Sequence, residues 1–232
     1  MKTIIADRNE VLRRAAEHIT RVLAEKPDAV LALSAGKTMA PLFQELTRLF
    51  ESGELHLERA RVFAVAEFDG GSEALSCRRA IEDGLISRTD LPGANCSFLS
   101  RENMEDYDSR IARAGGIDLA VLGIGHNAHI GFNEPATPFE SRTHAQKLSP
   151  ATRRQYAEAF GGEEQVPEYG LTMGIKTITE AREILLLALG GEKAEAVHRM
   201  VYGRTDSYVP AAFLQLPLNV TLYLDGEAAN EL

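Results

Sequence analysis

Short apolar runs alternate along this chain with segments whose apolar residues recur every three or four positions, the pattern of a mostly parallel sheet covered by helices. Val11, Ala15, Ile19 and Leu23 predict a first helix, which Pro27 ends because proline lacks the N–H that a helix interior needs. Asp28 to Ser34 reads as a buried strand, Gly36 opens a turn, and Leu42, Leu46 and Phe50 share one face of the next helix. Further strands are predicted at 62–66, 119–123, 184–189 and 220–224, each short and apolar throughout, as a sheet covered on both faces requires. Helices fit near 72–86, 104–114, 150–160, 193–202 and 209–214. Residues 132–146 show no period, carry Pro135 and Pro138, and read as a structured loop. With no internal repeat and no long linker, residues 1–232 are expected to form one domain.

Composition narrows the function classes. Hydrophobic residues make up 44% of the chain, enough for a substantial core, while 25 Lys and Arg stand against 34 Asp and Glu, a net charge of −9. No general basic field exists to hold nucleic acid or an anionic membrane, so an anionic ligand must be met by a local positive site. Cys77 and Cys96 are too few for a disulfide framework and lie in no paired-ligand spacing, which favours a reducing compartment without structural zinc. The apolar opening gives way to Asp7-Arg8-Asn9-Glu10, too early for a secretory leader, and no long apolar span follows, so a cytoplasmic protein is expected.

In an open parallel sheet ligands bind at the carboxyl ends of strands. Three loops fall there: 34–39, 67–72 and 125–135. In the first, Ser34, Ala35, Gly36, Lys37 and Thr38 join a strand to a helix, so backbone N–H groups, the Thr38 hydroxyl and the Lys37 ammonium can converge on a phosphate. It is not a nucleotide-binding Walker loop, because Leu31 stands where that motif needs its first glycine. The third loop holds His126, His129 and Glu134, a dense set of proton-handling groups. Their spacing lacks the helical His-Glu-x-x-His geometry and no cysteine is near, which argues against a metal. Glu134 can orient His129 as a general acid and base, whereas His126 reads as a loop histidine without chemistry. Lys193, just after Gly190-Gly191, can reach back over a bound phosphate, and Arg153, Arg154 and Lys176 read as surface charges.

The run Leu122-Gly-Ile-Gly-His-Asn-Ala-His-Ile-Gly-Phe-Asn-Glu-Pro135 resembles the signature of glucosamine-6-phosphate deaminases, Gly-x-Gly-x-Asp-Gly-His-Ile-x-Phe-Asn-Glu-Pro. The resemblance extends through Ser141-Arg142-Thr143, the stretch 166–174 and Leu189-Gly190-Gly191-Glu192-Lys193-Ala194, in order over nearly the whole chain. Asn127, the run 115–119 and the run 210–214 are similar to the galactosamine-6-phosphate branch. Lactonases acting on 6-phosphogluconolactone share the fold, but their loop continues toward Ser-Leu-Phe-Pro, unlike Phe132-Asn133-Glu134-Pro135.

The resemblance implies a three-layer α/β/α fold with a mostly parallel central sheet, of the NagB/RpiA/CoA-transferase-like type. It implies no cofactor, and a small-molecule sugar phosphate as partner, with a homo-oligomer possible. The reaction it implies opens an amino-sugar 6-phosphate ring, moves a proton between C2 and C1, and releases ammonia and a ketose 6-phosphate. His129 would drive ring opening, Glu134 and Asn127 would set its orientation and charge, and Lys193 with Ser34 to Thr38 would hold the phosphate. The family's Asp-Glu pair, whose Asp takes the C2 proton, reads Ala66-Glu67 here, and a methyl group accepts no proton. Glu67 keeps the second carboxylate and Asp69 lies near, but adjacent strand residues face opposite ways. Ala35, Lys37 and Met39 depart from the family's phosphate loop, Ala128 replaces a glycine where φ > 0 is expected, and Glu158 stands where an Arg is usual. Three readings remain: a deaminase with a rearranged base, a catalytically impaired sugar-phosphate-binding homologue, and a lactonase or aldose–ketose isomerase in the same pocket.

Overall fold

The computed structural model describes residues 1–232, the side chain of Ala74 excepted. The described strands are β1 (Lys2–Ala6), β2 (Val30–Leu33), β3 (Arg61–Ala64), β4 (Ala66–Phe68), β5 (Cys96–Ser97), β6 (Leu119–Leu122), β7 (His144–Lys147), β8 (Tyr169–Thr172), β9 (Glu183–Ala188) and β10 (Val220–Asp225). The α-helices are α1 (Arg8–Glu25), α2 (Met39–Glu51), α3 (Cys77–Gly84), α4 (Tyr107–Arg113), α5 (Pro150–Phe160), α6 (Ile175–Thr179) and α7 (Ala194–Tyr202).

Seven strands form one sheet in the order β1-β10-β9-β6-β2-β3-β5, with every adjacent pair parallel. Because successive strand residues face opposite ways, the unbroken apolar runs supply two cores. Val30, Ala32, Leu122 and Leu186 pack with Val197 and Met200 of α7 on one face. Leu31, Leu33, Val121 and Leu187 pack with Ile19 of α1 and Leu46 of α2 on the other. Burying one such leucine or valine stabilises the fold by roughly 1.5–3 kcal/mol. The result is the expected three-layer α/β/α architecture.

Helix ends follow their capping residues. The Asp7 carboxylate accepts from the N–H groups of Asn9 and Glu10, and α1 stops just before Pro27. Ser149 caps α5, Pro150 fills its first turn, and Gly161 closes it at φ 78°.

Several expectations are corrected. The apolar opening is an edge strand, β1, paired in parallel with β10. The strand expected at 62–66 ends at Ala64; after Val65 the chain enters a second, antiparallel sheet ordered β4-β8-β7, in which Ala66 lies opposite Thr172. The helix expected at 72–86 is broken into a 3₁₀ turn, Glu73–Leu75, and α3, because Ser76 caps a new helix there. Residues Pro210–Gln215 form a 3₁₀ helix. The loop at 132–146 gives way to β7 at His144. No described helix is long and apolar enough to cross a membrane.

Candidate active site

β2, β6 and β9 are neighbours at the centre of the sheet. The chain leaves β2 toward α2 on one face and leaves β9 toward α7 on the other, which opens a crevice at their carboxyl ends. The loops after these strands, the start of β4, the start of α3 and one side of α5 enclose a cavity of about 340 Å³. The 34–38 and 123–132 segments both line it; of the 67–72 loop only Phe68 reaches the wall, with Ala66 just ahead of it. Asp69 instead pairs with Arg101.

His129 is only 4% exposed. Its ring lies against Gly125, where an added Cβ would stand 2.2 Å from the ring. His129 Nδ1 is 2.7 Å from Asn127 Oδ1, and Asn127 Nδ2 donates to Glu134 Oε2 at 2.7 Å. Glu134, 3% exposed, also accepts from the Ser149 N–H at 2.9 Å. Glu134 therefore reaches His129 through Asn127. A carboxylate can only accept, so it turns the Asn127 amide nitrogen toward itself and the amide oxygen toward His129. That oxygen requires a proton on Nδ1 and leaves Nε2 as the bare base. The Thr152 hydroxyl lies 3.3 Å from the same Nδ1. Burial pushes the imidazole well below its ordinary value; Glu134 opposes this, while Lys193 and His126 add to it. His129 is thus neutral near pH 7. Ala128, just before it, sits at φ 64°, the left-handed conformation expected where a glycine is usual.

Lys193 is 6% exposed and has no ion pair among the described residues. Burial lowers its pKa and Glu192 raises it. The turn that carries it begins at Gly190, φ 90°, whose N–H is held by the buried Asp225 carboxylate at 3.0 Å. The Ser34 hydroxyl, also on the cavity wall, is buried without a hydrogen-bond partner among the described residues. Gly36, φ 112°, turns the chain into α2 at Thr38. Lys37 reaches Glu158 on α5 at 3.1 Å, with side chains 82% and 88% exposed, a pair worth about 0–1 kcal/mol and easily exchanged for an anion. Glu158 lies outside the cavity wall.

Glu67 is not on the cavity wall. Its carboxylate accepts from the N–H groups of Phe68, Cys77 and Arg78 at 2.8–2.9 Å and so anchors the start of α3. Burial raises its pKa, and those three N–H groups oppose the rise. Ala66 does line the cavity, presenting a methyl group there. His126 is exposed at the mouth. Among the described residues no three His, Cys, Asp or Glu side chains gather as a metal site. Of the presumed surface charges, Arg154 is exposed, but Arg153 is half-buried against the Glu163 carbonyl, and Lys176 lies half-buried over the Phe139 ring.

One wall escaped the sequence reading. Phe68 packs on Phe132, Tyr156 and Phe160 with ring centroids 5.0–5.1 Å apart, and the cluster roofs the cavity beside Cys77. The signal was there in Tyr156 and Phe160, four residues apart on a well-capped helix.

Residues 6–222 match the family described as glucosamine-6-phosphate isomerases/6-phosphogluconolactonase. The chain belongs to this family. A relative in Colwellia psychrerythraea strain 34H, named glucosamine-6-phosphate deaminase, is 40% identical over 100% of this chain and 90% of its own length. Another of that name, in Mycolicibacterium smegmatis, is 38% identical over 99% and 91%. The solved structure of a monomeric glucosamine-6-phosphate deaminase of the NagB superfamily superposes with a TM-score of 0.96 at 34% identity, over all of both chains. A 6-phosphogluconolactonase from Thermotoga maritima shares the fold at a TM-score of 0.75 and 18% identity, over 97% and 99% of the two chains.

Proposed function

We propose that the cavity binds an amino-sugar 6-phosphate and converts it to a ketose 6-phosphate and ammonia. The observation that carries this reading is the Glu134–Asn127–His129 relay, which leaves one buried nitrogen as a base in a cavity whose wall also offers a buried ammonium. Lys193, the Ser34 hydroxyl and the turn through Thr38 hold the phosphate, with Lys37 at its edge. His129 Nε2 takes and returns the proton of ring opening. The names of full-length relatives support the amino sugar. Glucosamine 6-phosphate and galactosamine 6-phosphate are the two candidate substrates. The same reading places a single-domain protein in the cytoplasm, where its two free thiols stay reduced, with self-association open to a sedimentation measurement.

Ala66 favours a second reading, an impaired homologue that binds sugar phosphate as a sensor. The position bears a methyl group, and the neighbouring Glu67 carboxylate is committed to three N–H groups. Incubation with each amino-sugar phosphate, with ammonia and ketose 6-phosphate measured, decides between them. Product from either supports the deaminase. A rise in melting temperature without product supports the sensor, since a ligand bound only to the folded state stabilises it. Neither response excludes both.

A further inference from the structure

α5 meets the loop after β6 along one face, where Ser149, Thr152 and Gln155 follow at the spacing that puts side chains on the same side of a helix. Each touches a different residue of that loop. The Ser149 N–H donates to Glu134 Oε1 at 2.9 Å, Thr152 Oγ1 lies 3.3 Å from His129 Nδ1, and Gln155 Oε1 accepts from the His126 N–H at 3.4 Å.

The cap of α5 explains why the Thr152 hydroxyl is free to turn toward the imidazole. In a capping box the side chain at the third helical position reaches back to the N–H of the capping residue. Glu134 already holds that N–H here, so Thr152 has no such role. Its own N–H donates to the Ser149 hydroxyl at 3.2 Å, and the two hydroxyl oxygens also lie 3.2 Å apart. At 1% exposure Thr152 is shut off from water, so these neighbours must satisfy its oxygen. That oxygen has two lone pairs, one for the Ser149 O–H and one for the proton that Asn127 requires on His129 Nδ1. Glu134, Asn127, His129, Thr152 and Ser149 thereby close a circuit of hydrogen bonds around the base.

We propose that Thr152 is a positioning residue for His129, by which α5 holds the base from outside the loop that carries it. The proposal rests on the reading of His129 Nε2 as the base of this cavity. Asn127, the nearer partner at 2.7 Å, and Thr152 both draw the proton to Nδ1. Asn127 belongs to the same loop as His129 and moves with it. Thr152 reaches the ring from a separate element, so the two acceptors together oppose rotation of the imidazole and keep its bare nitrogen in one place. α5 also carries Tyr156 and Phe160 of the aromatic roof, so the helix that covers the cavity is the one that seats its base.

The test reads the imidazole itself, by nitrogen NMR of protein labelled at histidine, near pH 7, with the His129 signals assigned by their loss in His129→Gln. The shifts of the two ring nitrogens report the ratio of the Nδ1–H form to the Nε2–H form, a quantity that a merely structural role would not move. In the wild type the Nδ1–H form should dominate. Thr152→Val keeps the shape of the side chain and removes the hydroxyl, so the ratio should fall by about 2- to 10-fold, the factor that one net hydrogen bond supplies. Thr152→Ser should restore it. If the valine variant does not fold, Thr152→Ala replaces it. An unchanged ratio in the folded variant overturns the proposal and leaves His129 as the base. A serine variant that behaves like the valine one overturns it too, because the hydroxyl would then not be the group that acts. A dominant Nε2–H form in the wild type overturns both the proposal and the reading of Nε2 as the base.

Discussion

At the scale of single residues, the bare nitrogen of His129 is set by a carboxylate that it does not touch. Glu134 fixes the Asn127 amide and the amide fixes the tautomer, so Asn127 is the link whose loss should be felt at both ends. Asn127→Leu keeps the bulk and removes both contacts. Turnover in the deaminase assay should fall by about 10²–10⁴-fold with a much smaller change in KM, because the base is lost while the phosphate contacts remain. Stability should fall by about 1–3 kcal/mol, since Glu134 stays buried with the Ser149 N–H as its remaining partner. Turnover within twofold of wild type would remove Asn127 from the mechanism. Gly125→Ala tests the other support of the same ring. The new Cβ would fall 2.2 Å from the imidazole, so the ring must leave its place. A folded variant by circular dichroism, with turnover lost and phosphate-dependent thermal shift retained, is the expected outcome; full activity would show that the ring position is not critical.

At the scale of elements, α1 is tied to the sheet by the side chains of His18 and Arg21, which both reach Glu183 of β9. His18 Nε2 lies 2.8 Å from Glu183 of β9 and Nδ1 lies 3.1 Å from the Tyr223 hydroxyl of β10. Burial lowers the His18 pKa, and Glu183 only partly restores it. Below the ordinary imidazole range the unfolded chain therefore binds a proton that the folded chain resists, so this group favours folding above about pH 6.5 and that preference is lost as the pH falls. Urea unfolding at pH 7 and pH 5.5 should show a smaller pH-dependent drop in His18→Gln than in the wild type; an equal drop would assign the acid sensitivity elsewhere. Elements of this kind were legible wherever chemistry was local. Pro150 and Gly161 mark both ends of α5, and the unbroken apolar runs of β2, β6 and β9 declare a sheet covered on both faces. The second sheet was hidden because β4 is three residues long and its partner β8 lies a hundred positions away, so no local period records the pairing. The pairing of His129 with Glu134 followed from spacing, since both share one loop, whereas Asn127 as the link between them came only with the family resemblance. The Glu67 contacts followed from neither, because the start of α3 had been hidden inside one longer apparent helix.

At the scale of the whole molecule, a chain of net charge −9 keeps on the wall of its crevice a buried ammonium with no ion pair among the described residues. Lys193 is desolvated and its nearest acidic neighbour, Glu192, is exposed, so the empty protein bears an electrostatic cost that an incoming phosphate relieves. Stability and binding are therefore opposed at this position. Lys193→Met retains most of the buried volume and removes the charge. Without ligand the variant should be more stable than the wild type by about 1 kcal/mol, which for a chain of this size raises the melting temperature by roughly 2–4 °C. With glucosamine 6-phosphate at a hundred times its dissociation constant, the wild type should gain about 2.7 kcal/mol and the variant almost nothing. The order of the two melting temperatures should then reverse between empty and saturated protein. A variant that melts below the wild type without ligand would mean that Lys193 is satisfied in the empty protein. One that keeps the full ligand shift would place the phosphate elsewhere, because the three segments that meet here, after β2, β6 and β9, would then be held together by some other group.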